Sequence, residues 1–495
     1  MKLILDTSVN EYYIQTLCMI FFPGAKFAHD EVVTEETPIV TVTSRTENAC
    51  VNAYAKIQIG EQWSSSEFSQ PIKEDADKSA KIAVGKAVFK AGEQFFGHTP
   101  SWGILTGIRP AKISAVLYER TGGSEFHVKK ILRNEYFLNP KKASLLTDVT
   151  VNEKKIVDSL KPDTCSLYIS IPFCPTRCAY CSFVSFATKR LLSMIPEYVD
   201  RLIADLDIVF SVIKERGLTL STVYIGGGTP TTLSAGQLKR IFGKISENVD
   251  IDSLDEYTCE AGRPDTITEE KVMCAIDSGV TRMSINPQTL NDSVLSGIGR
   301  NHTSEDFFKA YDIARRCGIK YINTDLIAGL PGDSYRSFSK SVDTILKLRP
   351  ENLTIHTFCI KKSAEMAAKG AENYATNGGE AQKSVDYSQV QAKLAGYRPY
   401  YIYRQKNTVG NLENVGFSLP GAEGLYNVYI MEELHHIFAV GAGSVTKLVS
   451  ADRRHIERFF MPKYPYEYLK MTDEDVKRLY KEKVVNFFGN DGSVK

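Results

Sequence analysis

The sequence predicts an α/β protein centred on a partial (β/α)6 barrel, with an N-terminal α/β domain before the barrel and a smaller C-terminal domain after it. Three observations lead there. The chain is 495 residues long, which suits two to four compact units better than one core. Hydrophobic residues at 43% and charged residues at 24% sit at the ordinary globular average, which disfavours disorder and fibrous repeats. Between about 165 and 360, short β-rich runs alternate six times with amphipathic helical stretches, and that regularity implies a parallel sheet with right-handed crossovers.

Taken in order, residues 1–150 read as the N-terminal α/β domain: a strand KLILD, a helix over 8–21, alternating strands at 38–43 and 51–59, and helices after Ala80. The Gly- and Pro-punctuated segment 99–113 connects it to helices that run into the barrel. The barrel, 160–375, takes its strands from 166–171, 221–226, 255–260, 282–286, 320–327 and 352–358. Between the first two, Ile195, Val199, Leu202, Leu206, Val209 and Ile213 recur every three or four residues, and Gly217 follows as a stop. Ser234 with Gln237 reads as a capping box. Thr268, Thr303, and Ser334 or Ser337 start the later helices, which end near Gly279, Gly318 and Pro350. Residues 376–495 read as a C-terminal α+β domain covering the active site. Its connector, Ala-, Gly- and Asn-rich over 364–384, precedes the Tyr-rich YRPYYIYRQK, an edge strand, and the Gly-rich VGAGSV.

Charge narrows the partners. Lys plus Arg total 60 against 59 for Asp plus Glu, a net +1, so bulk charge argues for neither nucleic acid nor an anionic membrane surface. The start of the chain lacks the charged n-region and cleavage site of a secretory leader, and the apolar patch 12–22 is too short to span a bilayer. The expectation is a cytoplasmic protein without a membrane span. In a reducing compartment, clustered cysteines act as metal ligands or catalysts rather than bridges.

Ten cysteines are present, and three of them, Cys174, Cys178 and Cys181, form a C-x3-C-x2-C array on the loop after the first barrel strand. A closed structural zinc site wants a fourth Cys or His, which this stretch lacks. A cubane iron–sulfur cluster on three cysteines leaves one iron open for a cofactor or substrate. Gly226, Gly227 and Gly228 end the second strand, where backbone without Cβ atoms can approach a ligand or simply turn tightly. The phosphate-loop pattern is absent. His435 and His436 are adjacent, so they point apart and read as surface or satisfied core histidines.

The array, with an aromatic residue before its third cysteine, resembles the signature of the radical S-adenosylmethionine (SAM) enzymes. Together YISIPFC, YIGGGTPTTL, RMSINPQTLNDSVLSGIGR, INTDLIAGLPGDS and VGAGSV resemble the oxygen-independent coproporphyrinogen III oxidase family, strongly over 165–360 and weakly over 385–450. The resemblance implies a [4Fe–4S] cluster on Cys174, Cys178 and Cys181, one or two molecules of SAM, and a 5′-deoxyadenosyl radical as the reactive species, with no side chain acting as nucleophile. It places Tyr168, Tyr180, Gly227, Gly228, Thr229, Glu260, Gln288, Arg300, Asp325 and Cys359 at SAM-contact positions. Glu260 and Asp325 suit the ammonium, sulfonium and ribose hydroxyls of SAM, although a salt bridge of Glu260 with Arg263 or Arg282 would also explain a carboxylate there. Arg300 suits the SAM carboxylate as a fork.

The implied reaction is oxidative decarboxylation of two propionates of coproporphyrinogen III to vinyl groups, giving protoporphyrinogen IX in haem biosynthesis. An electron donor such as flavodoxin or ferredoxin would supply the reducing equivalent. Arg109 and Lys112 are expected among the bases that meet the substrate's carboxylates. One position departs from the oxidase pattern: Phe183 stands where the oxidase carries a further cysteine, as in relatives that behave as haem-binding or haem-trafficking proteins. A haem chaperone on the same scaffold is therefore the alternative reading, and a radical SAM methyltransferase the third.

Overall fold

The computed structural model describes residues 1–27, 34–73, 75–181, 183, 185–359 and 378–490. These fall into two compact units. One holds Met1–Val151 and Ile402–Glu413; the other holds the remaining described residues from Asn152 onward.

In the first unit, β1 (Lys2–Asp6) lies parallel to β2 (Ile39–Glu47), which continues antiparallel into β3 (Cys50–Ile59) and β4 (Gln62–Pro71). The β2–β3 turn places Asn48 and Ala49 at φ 49 and 59, the left-handed pair that a tight hairpin needs. Helix α1 (Glu11–Phe21) starts three residues later than expected, because the Asn10 side chain accepts the Tyr12 N–H and caps it. Helix α2 (Ala76–Phe96) begins at its Asp75 cap and packs across β3 and β4. Strand β4 is absent from the sequence-based expectation. Its QWSSSEFSQP buries only Gln70, so it carries almost no apolar alternation and owes its place to pairing with β3. Helices α3 (Pro110–Arg120), α4 (Glu125–Asn134) and α5 (Pro140–Ser159) follow. Residues 402–413 are tied into this unit by a fully buried ion pair, Lys142 Nζ to Glu413 Oε1 at 2.6 Å, whose other carboxylate oxygen accepts from Trp102 Nε1 at 2.7 Å.

The second unit is built on six parallel strands in chain order: β5 (Thr164–Ile171), β6 (Thr219–Gly227), β7 (Glu256–Glu260), β8 (Arg282–Ser284), β9 (Tyr321–Ala328) and β10 (Asn352–Thr357). All six expected strands are present. The intervening helices α6 (Ile195–Glu215), α7 (Ala235–Asn248), α8 (Glu269–Asp277), α9 (Ser304–Cys317) and α10 (Tyr335–Leu348) cover one face, and the predicted α6 stripe from Ile195 to Ile213 is buried. Ser234 and Gln237 form their capping box, Thr303 forms another with Asp306, and Ser334 rather than Ser337 caps α10.

Parallel strands this apolar need cover on both faces and at both edges. The region expected as a separate C-terminal domain meets the edges. β11 (Arg398–Arg404) and β12 (Glu413–Ser418) extend the sheet beyond β10, with β12 antiparallel to it. On the other side β13 (His436–Val440) lies parallel to β5, followed by antiparallel β14 (Val445–Val449) and β15 (Ile456–Phe460). The described residues 378–490, apart from 402–413, thus fall in the same unit as the barrel strands, and their strands join the same eleven-stranded sheet. Of the stretch 364–384, residues 364–377 lie outside the described residues, and α11 (Gly378–Leu394) takes up the rest. Helices α12 (Leu425–Glu432) and α13 (Asp473–Asn490) complete the unit. No helix among the described residues is long and apolar enough to cross a membrane.

Candidate functional site

Residues at the barrel lumen betray themselves by partial exposure within otherwise buried strands. Tyr168 on β5, Tyr224 on β6, Glu260 at the end of β7, Asn323 and Asp325 on β9 and His356 on β10 are each half-buried between fully buried neighbours. The period of two along a pleated strand turns these side chains inward together. Tyr168, Tyr224 and Tyr426 of α12 stack in the lumen, Tyr224 on Tyr426 at 4.4 Å between ring centroids and Tyr168 on Tyr224 at 6.2 Å.

The three cysteines lie just past the C-terminal end of β5. The loop is stapled to the barrel by backbone bonds: Cys174 N–H donates to Phe186 O at 3.1 Å, and Ala179 N–H to Ile298 O at 3.0 Å. The Ser185 hydroxyl bonds both the Cys174 and the Cys181 thiol, and each of those thiols also feels the charge of Cys178. Burial holds the Cys174 and Cys181 thiols above their ordinary titration range. Thr229 Oγ1 lies 3.3 Å from Cys174 Sγ, and Arg263 Nη1 donates to Thr176 Oγ1 at 2.8 Å and approaches Cys178 Sγ at 3.9 Å. Among the described residues, no three His, Cys, Asp or Glu side chains are grouped to hold a single metal ion. A cubane does not need such a group, since each iron takes its own thiolate.

Beside the loop runs the glycine ridge at the end of β6. Gly227 adopts φ +108, and a Cβ on Gly228 would sit 2.6 Å from Phe173 O and 2.9 Å from Phe173 N. Only glycine lets β6 close this tightly on the strand that launches the cysteines. The Gly227 N–H donates to the Glu260 carboxylate, as does the Tyr224 hydroxyl. Glu260 is nonetheless pushed up to about 7, chiefly by burial and further by the neighbouring Asp325 charge. Neither Arg263 nor Arg282 pairs with it: Arg263 bridges to Asp265 at 3.0 Å and Arg282 lies 3.9 Å from Glu256. The salt-bridge explanation of Glu260 therefore fails, because both arginines are taken elsewhere.

Asp325 is clamped by Asn286 Nδ2 at 2.9 Å and Asn323 Nδ2 at 2.8 Å, with His356 Nε2 at 3.5 Å. Gln288 bridges to the end of β9: its N–H donates to Asp325 O at 3.0 Å and its carbonyl accepts from Ile327 N at 2.8 Å. It does so at φ +68, and its buried Oε1 has no partner. A non-glycine residue in that conformation and an unmet buried acceptor together mark a ligand position. Arg300 spans the loops after β7 and β8, its Nη2 on Gly262 O at 2.7 Å and its Nη1 on Asn286 O at 3.1 Å, while its buried Nε has no partner. Tyr180 is half-buried near Arg300 and the Cys178 and Cys181 thiols. Cys359 follows β10 and is half-buried.

The expected site residues of the second unit thus sit on strand C-termini and the loops that leave them, where such barrels carry their chemistry. Arg109 and Lys112 lie in the first unit, at the start of α3. Sequence reasoning missed Ser185, the Arg263 contact to the loop, the Asn286–Asn323 clamp and Tyr426. The asparagines stand inside expected strands, but nothing local says that they face Asp325. His435 is a satisfied core histidine, its Nε2 2.8 Å from Ser166 Oγ, and burial holds it down to about 3.

The donor set fits the groups that the resemblance implies. Three thiols share one loop, the glycine ridge leaves room where a side chain would collide, and unmet polar atoms of Gln288 and Arg300 await a polar ligand. Comparisons with known proteins agree. A family described as "Radical SAM superfamily" matches residues 168–345. The chain is 34% identical over 477 residues to the oxygen-independent coproporphyrinogen-III oxidase-like protein HemZ of Bacillus subtilis, covering 94% of this chain and 95% of that one. It is 30% identical to the heme chaperone HemW of Lactococcus lactis, over 56% of this chain and 68% of that one. Among solved structures, coproporphyrinogen III oxidase HemN of Escherichia coli shares the fold at a TM-score of 0.51 and 20% identity, over 65% of this chain and 72% of that one.

Proposed function

The chain belongs to the oxygen-independent coproporphyrinogen-III oxidase-like family of the radical SAM superfamily, and from that premise we propose that it is an oxidoreductase that removes two propionate carboxyls of coproporphyrinogen III as carbon dioxide, leaving vinyl groups. When bound, a [4Fe–4S] cluster and SAM supply a 5′-deoxyadenosyl radical. Cys174, Cys178 and Cys181 hold the cluster. The remaining residues bind and orient. Glu260 and Asp325 would present carboxylates to the cationic half of SAM, the Gly227–Thr229 backbone would offer carbonyl groups, its N–H groups being donated within the chain, Gln288 would meet the ribose or adenine, and Arg300 would pair with the SAM carboxylate. Tyr168, Tyr180 and Cys359 line the same pocket, and the Tyr168–Tyr224–Tyr426 stack excludes water beneath it. The chain acts in the cytoplasm with a separate electron donor.

One observation carries this reading: three thiols share one loop, two of them bonded to Ser185, at the barrel end that also holds a buried Gln288 Oε1 with no partner on a strained backbone. The test is anaerobic reconstitution with iron and sulfide, followed by SAM, reductant and coproporphyrinogen III. Vinyl-bearing products support the oxidase. The second reading, a haem chaperone on the same scaffold, is favoured by Phe183 and by the chaperone relatives. It predicts SAM cleavage without vinyl products, together with tight haem binding.

A further inference from the structure

We propose that the surface over the cysteine loop, built from Phe183, Lys189, Arg190, Lys463 and Tyr466, is the docking site of a small acidic protein that donates one electron. This inference rests on the reading that a redox cluster sits on the three thiols. The sequence from Pro172 to Ser193 contains no Asp or Glu and three bases, Arg177, Lys189 and Arg190, and the run Met461–Tyr466 adds Lys463 without an acid. A chain of net charge +1 thus carries two sequence runs that hold bases without acids, and one of them is the cysteine loop.

The structure brings the two runs together. Phe186 is tied to the loop by paired backbone bonds with Cys174 and Pro172, and its ring meets Tyr464 at 5.5 Å. Tyr464 stacks on Tyr466 at 5.3 Å, and Lys463 Nζ lies 5.7 Å from the Tyr464 ring. Tyr466 in turn feels the charge of Glu467 and of Arg190. Lys189, Arg190 and Lys463 are exposed and enter no salt bridge among the described residues. On the cysteine loop itself Phe183 is 67% exposed, and Tyr466 is 40% exposed.

Exposed aromatic rings within a rim of one charge sign make a protein-docking surface, and the sign selects an acidic partner. The three thiols are half-buried rather than enclosed, so a donor seated over their loop would stand close to the cluster they would hold. The step is a single electron leaving the donor's reduced flavin or iron–sulfur centre for the cluster, with no atom or proton transferred. Electron-transfer encounters of this kind bury little area and depend on charge for their rate.

The test uses the full-length reconstituted protein and the triple variant Lys189→Glu, Arg190→Glu, Lys463→Glu, with reduced flavodoxin as the probe. Flavodoxin affinity and the flavodoxin-driven rate of cluster reduction should each fall about tenfold or more at low salt, and their salt dependence should flatten. Dithionite, which needs no docking, should still drive SAM cleavage at the unvaried rate. Unchanged flavodoxin affinity in the variant overturns the proposal. So does loss of coproporphyrin binding while flavodoxin binding persists, which would give the patch to the tetrapyrrole. Absence of dithionite-driven cleavage in the unvaried protein counts against the proposed function instead, while the affinity measurement still decides the docking site.

Discussion

The two ends of the barrel are made of similar residues and treat them in opposite ways. At the N-terminal end, Arg282 gives Nη1 to Asn352 and Nη2 to the carbonyls of Ala422 and Glu423, each at 3.1 Å, and lies over the Tyr321 ring at 4.9 Å. Glu256 accepts from Leu425 N at 2.6 Å and Thr258 Oγ1 at 2.9 Å, and Asn352 Nδ2 donates to Ala422 O at 2.7 Å. These polar groups close the barrel floor with α12 and satisfy one another except at Arg282 Nε, which makes no hydrogen bond and instead lies 3.9 Å from the Glu256 carboxylate. At the C-terminal end the Gln288 Oε1 and Arg300 Nε are buried without partners, Gln288 is strained, and Glu260 is held near pH 7 by a setting that resists its charge. The floor's charged groups face one another, whereas the Gln288 Oε1 combines a missing partner with a left-handed backbone, and that combination calls for a partner outside the chain.

The comparison can be broken in order of expected effect. Cys178→Ala should abolish the cluster outright, seen as loss of iron content and of SAM cleavage after reconstitution; an intact, cleaving cluster would remove the C-terminal end from the chemistry. At the other end, Arg282→Ala strands Glu256 and Asn352 in the floor and should cost about 3 kcal/mol of stability by chemical denaturation, with SAM affinity unchanged in whatever remains folded. Altered SAM affinity at full stability would reverse the roles of the two ends. Gly228→Ala drives a Cβ against Phe173 and should lower cluster occupancy and SAM cleavage about tenfold while the far-UV circular dichroism stays native.

Glu260 gives a pH signature. Its carboxyl, lifted to about 7, is neutral below that value and charged above it, so affinity for cationic SAM should rise as pH passes through 7. The same group works oppositely on the ligand-free fold: its raised value adds stability that is complete below its unfolded pKa and is lost as pH climbs through about 7. In Glu260→Gln, calorimetric SAM affinity should drop about tenfold at pH 8 and lose its pH dependence; a retained slope would assign it to another group. The smallest effect belongs to Phe183→Cys. With dithionite as reductant, SAM cleavage should stay within about twofold, as for an exposed position, so that any gain of vinyl product would bear on substrate chemistry alone.

The six strands and their caps are legible in the amino-acid sequence because each rests on local rules: Ser234 with Gln237, Thr303 before its helix, Gly318 in the left-handed stop. The cysteine loop is legible from spacing. Pairing across long sequence separation is not. Nothing in HIFAV announces that β13 lies on β5 some 270 residues earlier, with Phe438 opposite Leu167, so the C-terminal region reads as a separate domain. The barrel floor is hidden for the same reason, since Arg282 meets Ala422 across 140 positions.

The central claim is that three thiols hold a cluster whose remaining corner takes SAM. Electron paramagnetic resonance of the reconstituted, dithionite-reduced protein, recorded before and after adding SAM, tests it most directly. The account predicts a [4Fe–4S]+ signal that changes shape when SAM binds, with that change weakened in Gln288→Ala. A spectrum indifferent to saturating SAM would contradict it.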